Sequence, residues 1–367
     1  MRDADFMRTA IELAKSTTGQ TSPNPMVGAI VVKDGAIVGV GAHLKAGEPH
    51  AEVHALRMAG EKAQGATIYV TLEPCSHHGR TPPCVEAIIR AGISQVVVAT
   101  VDPNPQVAGR GVKMLQEAGL DVRVGVLEAE AHELNEVFFH YITTGKPFVT
   151  VKTASTLDGK IATGSGNSKW ITGEQAREEV HLMRHRHDAI LVGVGTVIQD
   201  NPALTARVNE QGRQPVRVIL DTHLRIPMTA RVITNSEAPT WIITSKNASP
   251  ERITALTSGH VHVIVLDSEA VTIQAVLQVL GENGITSLFV EGGSAVNGSF
   301  LQEKAINKVI SYLSMKLVGG ALAPTAFGGE GYTTMNEAVR LNKVTVEQVS
   351  EMDWRVSGYP VWDNDVL

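Results

Sequence analysis

Leu72-Glu73-Pro74-Cys75-Ser76-His77-His78-Gly79-Arg80-Thr81-Pro82-Pro83-Cys84 joins a strand to a helix, and its reading decides the fold of the first half of this 367-residue chain. Thr67–Leu72 is a short apolar run of the kind that makes a buried strand, and Pro83–Ala91 is helical up to the stop at Gly92. Downstream, Gln95–Val101 and Asp121–Leu127 read as further strands, with a helix at Val112–Ala118 between them. Upstream, Ala51–Ala59 reads as a helix, and Ala29–Val32 and Ala36–Val40 flank the hairpin turn Asp34-Gly35. Phe6–Lys15 has the apolar spacing of an amphipathic helix. A helix over Ala129–Ile142 runs into Gly145-Lys146-Pro147, a strong stop where we place the domain boundary. The alternation makes 1–146 an α/β domain with part of its sheet parallel.

Within that frame His50-Ala51-Glu52 starts a helix, Cys75 follows a strand, and Cys84 opens the next helix. One imidazole and two thiolates suit zinc and leave a fourth tetrahedral position for water. The ion draws the pKa of that water towards neutrality, giving a hydroxide nucleophile at working pH. An amine on a heteroaromatic ring leaves poorly unless a proton donor stands beside the metal, and Glu52 is placed to be that donor. His-x-Glu followed by Pro-Cys and a second cysteine is the nucleobase-deaminase pattern, in which the glutamate shuttles protons and is not a ligand. Here eight residues, 76–83, separate the cysteines in place of two. The helix dipole at Cys84 favours a thiolate.

Three other readings stand beside this one. Two cysteines at this spacing are often plain buried side chains. His77 or His78 as fourth ligand would make a closed, structural zinc site. His50 and His54 have the spacing of a zinc protease, but that motif puts its glutamate where Ala51 stands, and the protease reading fails.

Composition narrows the class. With 43% apolar and 19% charged residues the chain is that of an ordinary soluble protein, long enough for two cores. A net charge of −6 and 4% aromatics argue against a broad phosphate-backbone surface with stacking platforms. The start, Met1-Arg2-Asp3-Ala4-Asp5, is acidic where a signal peptide is basic, and no apolar run is long enough for a bilayer. The expected partners are therefore small molecules, with neither nucleic acid nor membrane. A homo-oligomer in the cytoplasm is expected.

The second half, 147–367, restarts with a strand at Phe148–Ala154 and alternates again. Ala189–Val194, Val216–Leu220, Thr240–Thr244, Val261–Leu266 and Ser287–Glu291 are strand-like, with helices such as Thr172–Arg186 and Ile273–Leu280 between. Gly193-Val194-Gly195-Thr196-Val197-Ile198 opens like a dinucleotide fingerprint but lacks the third glycine, a weak Rossmann signal. Glu291-Gly292-Gly293-Ser294 follows an apolar strand and opens a helix towards Gln302, which exposes backbone N–H groups to a phosphate. A tight turn accounts for the glycine pair equally well.

Ser22–Gly28, Gly47–Glu52, Glu73–Cys84 and Asp102–Gly111 resemble the bifunctional riboflavin-biosynthesis deaminase–reductase family. The likeness continues at Leu157-Asp158-Gly159, Trp170-Ile171-Thr172, Asp200–Thr205 and Val290–Gly293, so it covers most of the chain. It makes the gap between the cysteines a mark of the family. The resemblance implies a cytidine-deaminase-like three-layer domain followed by a dihydrofolate-reductase-like α/β domain. It implies zinc-hydroxide deamination of 2,5-diamino-6-(5-phosphoribosylamino)pyrimidin-4(3H)-one, with zinc on His50, Cys75 and Cys84 and with Glu52 catalytic. NADPH reduction of 5-amino-6-(5-phosphoribosylamino)uracil to the ribitylamino product follows.

By the same resemblance Asn24, His43, Arg80, Asp102 and Asn104 line the deaminase pocket, with Arg80 or His43 able to meet phosphate. Ala154, Trp170, Thr196, Asp200, Thr222 and the run Gly293, Ser294, Ala295, Val296, Asn297, Gly298 and Ser299 lie near the nicotinamide cofactor. Ser168, Arg184, Leu204, Arg207 and Glu291 hold the second substrate, and Lys152 stands at the active site as a proton donor. Without the family, each deaminase-pocket residue is more naturally a turn or surface residue, Asn24 and Asn104 above all, since each sits between prolines. A nucleic-acid editor such as a tRNA adenosine deaminase, and a zinc-stabilised binding module without turnover, remain open at this stage.

Overall fold

Asp34 and Gly35 take left-handed φ values of 50° and 77°, closing the tight turn between β1 (Gly28–Lys33) and β2 (Ala36–Ala42). The computed structural model describes residues 2–77, 82–104, 108–208 and 213–362, which fall into two units, Met1–Gly145 and Lys146–Leu367. In the first, β1 pairs antiparallel with β2 and with β3 (Thr67–Val70). β4 (Gln95–Val98) and β5 (Asp121–Val124) extend the sheet in parallel, giving the order β2-β1-β3-β4-β5. Strand side chains alternate between faces, so Ile30 and Val32 meet Phe6, Met7 and Ile11 of α1 (Asp3–Lys15). Ala29 and Val31 meet α2 (Ala51–Ala59), α3 (Cys84–Arg90) and α4 (Arg110–Glu117) on the other side. Three layers result.

Gly39 and Gly41 lie directly under α2, where a Cβ would collide with the carbonyl oxygens of Ala55 and Ala51. Their bare backbone lets the helix sit down on β2, which fixes His50 at its N-cap and Glu52 in its first turn.

The single helix expected over 129–142 is two helices, α5 (Glu128–Leu134) and α6 (Glu136–Thr144), broken at Asn135. Asn135 is only 2% exposed, and its amide turns inward to the backbone of Met26. Oδ1 accepts from the Met26 N–H at 2.8 Å, and Nδ2 donates to the Met26 carbonyl at 2.9 Å. This two-point clamp ties the loop that carries Asn24 to the last helices of the unit. Gly145, left-handed at φ 70°, ends α6.

The second unit starts at β6 (Phe148–Thr156). α7 (Glu174–Arg186) leads to β7 (Ala189–Gly193), α8 (Val194–Asp200) to β8 (Val216–Leu220), and α9 (Arg231–Thr234) to β9 (Thr240–Ser245). α10 (Pro250–Leu256) leads to β10 (Val261–Leu266), α11 (Ile273–Glu282) to β11 (Ser287–Val290), and α12 (Ser294–Gln302) to β12 (Lys308–Ser314). β13 (Arg340–Gln348) and β14 (Asp353–Val361) complete a sheet ordered β10-β9-β8-β7-β11-β6-β12-β14-β13. β6 to β12 are parallel, and β14 and β13 are antiparallel to their neighbours. Val276, Leu280 and Phe300 cover one face, and Val197, Val232 and Leu256 the other. Because β11 slots between β7 and β6, the order is not the Rossmann one, and Gly193–Ile198 simply opens α8. Among the described residues no helix is long and apolar enough to cross a membrane.

Asn135→Ala removes the side chain that pairs with the half-buried N–H and carbonyl of Met26. The first unit should lose about 1–3 kcal/mol of stability, seen as earlier urea-induced hydrogen exchange in its peptides. An unchanged exchange profile would show that the clamp carries no stability.

Candidate active sites

α2 begins after His50, the segment following β3 carries Cys75, and α3 begins at Cys84, so three element ends meet. His50 Nδ1 stands 3.5 Å from Cys75 Sγ and 3.3 Å from Cys84 Sγ, and the three ligand atoms all lie within 4.8 Å of one another. A tetrahedral zinc with its usual bond lengths to nitrogen and sulfur separates such atoms by about 3.6 Å. The donor set and its spacing both fit zinc. Of the alternative fourth ligands, His77 stays outside this cluster and His78 lies outside the described residues.

A hydrogen bond from the Cys84 thiol, helped by His50 and opposed by burial, holds Cys75 down to about 4. The same bond, together with burial, pushes Cys84 up. The two sulfurs thus share a proton that a divalent cation displaces on binding. Glu52 is 3% exposed, and among the described residues its Oε2 has no hydrogen-bond partner. Burial, then the charge of Cys75, raises its carboxyl to about 7.

The adjoining cavity, of about 450 Å³, is lined by Asn24, His43, Glu52, Asp102 and Asn104, with Phe138 and Ile142 of α6 as an apolar wall. Asn24 Nδ2 donates to His43 Nε2 at 3.0 Å, and His43 Nδ1 faces the Pro49 carbonyl at 3.3 Å. A ring that donates at Nδ1 and accepts at Nε2 is neutral, in line with the burial that lowers its pKa. At 2% exposed and with both nitrogens engaged, His43 is not placed to meet a phosphate. It orients Asn24 instead. Arg80 lies outside the described residues.

Asp102 and Asn104 reach the cavity through a residue that the sequence analysis passes over. Glu73, 4% exposed, collects four backbone N–H groups. Oε2 accepts from Asp102 at 3.2 Å and Gly109 at 2.9 Å, and Oε1 from Gly111 at 2.8 Å and Val112 at 3.2 Å. The carboxylate joins the end of β3 to the end of β4 and satisfies the open first turn of α4. The available signal was an acid wedged between an apolar strand and a proline. Asp102 in turn accepts from the Asn104 N–H at 2.9 Å, and burial raises its pKa.

In the second unit, β6, β7, β8 and β11 end at one edge of the sheet. Lys152 and Ala154 lie on β6, Thr196 in the first turn of α8, Thr222 just past β8, and Glu291 just past β11. Glu291 is clasped by Arg184 of α7 through Nε to Oε1 and Nη2 to Oε2, the latter at 3.0 Å. Lys152 Nζ is 3.9 Å from Oε2. Burial works the Glu291 pKa upward, but the charges of Arg184 and Lys152 outweigh it and hold the carboxyl below its usual value. Burial lowers the pKa of Lys152.

A cavity of about 290 Å³ brings together Ser168, Trp170, Arg184, Asp200, Leu204 and Arg207. Trp170 is exposed, with the Arg177 guanidinium 4.6 Å from its ring. Thr222 does not line this cavity; its carbonyl accepts from the Thr244 and Ser245 hydroxyls. The run Gly293–Ser299 does not form one surface either, since consecutive helical residues point in different directions. Asn297 is buried with Nδ2 on the Ala326 carbonyl, Gly298 packs on Gly328, and Ala295 and Ser299 border a different cavity.

Residues 147–352 match the family described as the RibD C-terminal domain, and residues 1–100 match the cytidine and deoxycytidylate deaminase zinc-binding region. The riboflavin biosynthesis protein RibD of Bacillus amyloliquefaciens is 51% identical over 344 residues, 94% of this chain and 93% of its own. A solved structure of RibD from Acinetobacter baumannii is 41% identical with a TM-score of 0.88, over 98% of this chain and 99% of that one. The structure of a diaminohydroxyphosphoribosylaminopyrimidine deaminase/5-amino-6-(5-phosphoribosylamino)uracil reductase from Thermotoga maritima is 42% identical with a TM-score of 0.87, over 98% and 99% of the two chains.

Glu73→Gln sets an NH₂ group among four N–H donors. The KM for ammonia release from the pyrimidine nucleotide should rise by roughly tenfold, while the zinc content holds. An unchanged KM would mean that Asp102 and Asn104 are held by something else.

Proposed function

The chain belongs to the RibD family of riboflavin-biosynthesis proteins, and from that premise we propose how its deaminase and reductase activities are divided between the two units. Deamination of the diaminopyrimidine nucleotide belongs to 1–146, and reduction of the resulting aminouracil nucleotide to 147–367. The observation that carries this reading is the meeting of His50, Cys75 and Cys84 beside the buried Glu52.

Held by those three ligands, zinc supplies the Lewis acidity that brings the pKa of a water near neutrality. Glu52 takes up a proton at Oε2, an atom without a hydrogen-bond partner among the described residues, and hands it to the departing amine. Asn24, oriented by His43, and the pair Asp102 and Asn104 read the polar edge of the pyrimidine. Phe138 and Ile142 keep water off its face. Arg80, by family likeness, meets the phosphate.

In the second site bound NADPH would supply the hydride for reduction at C1 of the ribose, where the bond to the ring oxygen must open. The ring oxygen needs a proton, and Lys152 against Glu291 is the source we assign. Arg184 and Arg207 bind the substrate phosphate, Glu291 receives ribose hydroxyls, and Ser168 and Leu204 border the substrate. Ala154, Trp170, Thr196, Asp200 and Thr222 flank the cofactor, and Gly293 at the N-cap of α12 offers N–H groups to its phosphates.

The partners proposed are small molecules alone, in keeping with a net charge of −6. The cytoplasm is proposed because Cys75 and Cys84 must stay reduced to bind a metal. Self-association is proposed on the exposed side chains of Leu317, Leu322 and Met335 in the second unit.

Cys84→Ser should drop zinc well below one per chain, whereas Glu52→Gln should keep it and slow ammonia release by roughly 10²–10⁴. Metal analysis and an ammonia assay check both, and full zinc in the first variant or near-normal release by the second overturns the assignment. Gentle chelation of folded enzyme should abolish ammonia release and spare NADPH oxidation with the deaminated substrate. Asp200→Ala or Glu291→Ala should do the reverse. Loss of both activities under either treatment, in folded protein, overturns the division.

A further inference from the structure

The loop 201–207 carries Leu204 and Arg207 to the reductase cavity, and neighbouring elements hold it along its length. The Asn201 side chain accepts from the Arg231 N–H at 2.8 Å, and the Thr205 carbonyl accepts from Arg184 Nη1 at 3.2 Å. The Gln214 amide pairs with both the N–H and the carbonyl of Ala206, at 2.8 and 2.9 Å. Arg207 comes last and is exposed, and a long exposed arginine ordinarily keeps its rotamer freedom. Here it is held. Its Nη2 and Nε lie 2.9 and 3.2 Å from Nε2 of His181, a residue of α7 whose Nδ1 faces the Arg207 backbone N–H at 3.3 Å.

We propose that His181 is a positioning residue for the reductase, a neutral imidazole that aims the Arg207 guanidinium at the substrate phosphate by accepting its N–H. The inference rests on the reading of Arg207 as a phosphate ligand. A guanidinium has five N–H donors, so those given to the imidazole leave others for a phosphate. The ring must be neutral, because imidazolium has no lone pair to offer. Burial, then the positive charges of Arg184 and Arg207, holds His181 down to about 4, so it remains an acceptor at neutral pH. A carboxylate in its place would aim the arginine too, but it would cancel the charge on which phosphate binding depends. Imidazole orients the cation and leaves that charge whole.

The test is steady-state reduction by the full-length enzyme. His181→Phe keeps a ring and removes the acceptor, and the KM for the phosphorylated substrate should rise about tenfold with kcat within about twofold. His181→Gln, with an acceptor near the Nε2 position, should return KM to within about threefold of the parent. With dephosphorylated substrate the parent and His181→Phe should behave alike, which also reports an intact reductase fold. In an Arg207→Ala background, His181→Phe should add nothing. A rise that persists in that background, an equal loss with dephosphorylated substrate, or no rise in His181→Phe overturns the proposal. Arg207→Ala with a normal KM overturns the phosphate reading and this inference with it. A raised KM there beside a normal one in His181→Phe overturns the inference alone.

Discussion

Strands that run the same way must each be followed by a crossover, so all of them end at one edge of their sheet. In the first unit that constraint sends Cys75 out past β3 and Asp102 out past β4. In the second it sends Lys152, Thr196, Thr222 and Glu291 to the edge shared by β6, β7, β8 and β11. Residues far apart in the chain become neighbours without any loop having to reach for another. The edges are firm because the strands behind them have no freedom: Ile68, Val70, Val96 and Val98 are fully buried, as are Leu191, Val218, Leu288 and Val290. Close-packed interiors have low compressibility, and a site mounted on such strands inherits their rigidity.

Two buried glutamates and the half-buried Glu291 show how surroundings decide what the same carboxyl does. Glu73 is met by neutral N–H dipoles alone, and it serves as a fixed knot between backbone segments. Glu291 is met by two cations, which keep it charged and hold it still. Glu52 keeps one oxygen unpartnered in a cavity wall, the arrangement in which a proton can come and go. Partial or full removal from water is common to all three, and the groups that answer it are not.

Much of the first unit was legible because its pattern is local. The hairpin at Asp34-Gly35 and the helix Ala51–Ala59 are written in turn chemistry and apolar spacing, and the structure has them at those positions. Asn135 was not legible, because a polar residue in a helical run gives no sign that its amide will bond a residue far back in the chain. Glu73 was hidden for a similar reason: its partners are backbone groups, which have no signature in sequence. The sequence analysis names no strand beyond Glu291. In β13 a register shift between Asn342 and Thr345 interrupts the period-two alternation, and every residue is exposed, so no apolar face marks it. The helix expected after Gly293 is α12, and its turns divide Gly293–Ser299 between different surroundings.

The match to the zinc-binding region stops at residue 100, whereas the cavity beside the metal ligands is finished by Asp102, Asn104, Phe138 and Ile142. A fragment cut at the end of that match would retain His50, Cys75 and Cys84 and lose Asp102, Asn104 and the apolar wall beside them. Met26, near the start of the chain, would also lose its partner Asn135. The compact unit is thus longer than the motif by which it is recognised. Its far end is Gly145, where a left-handed turn releases the chain.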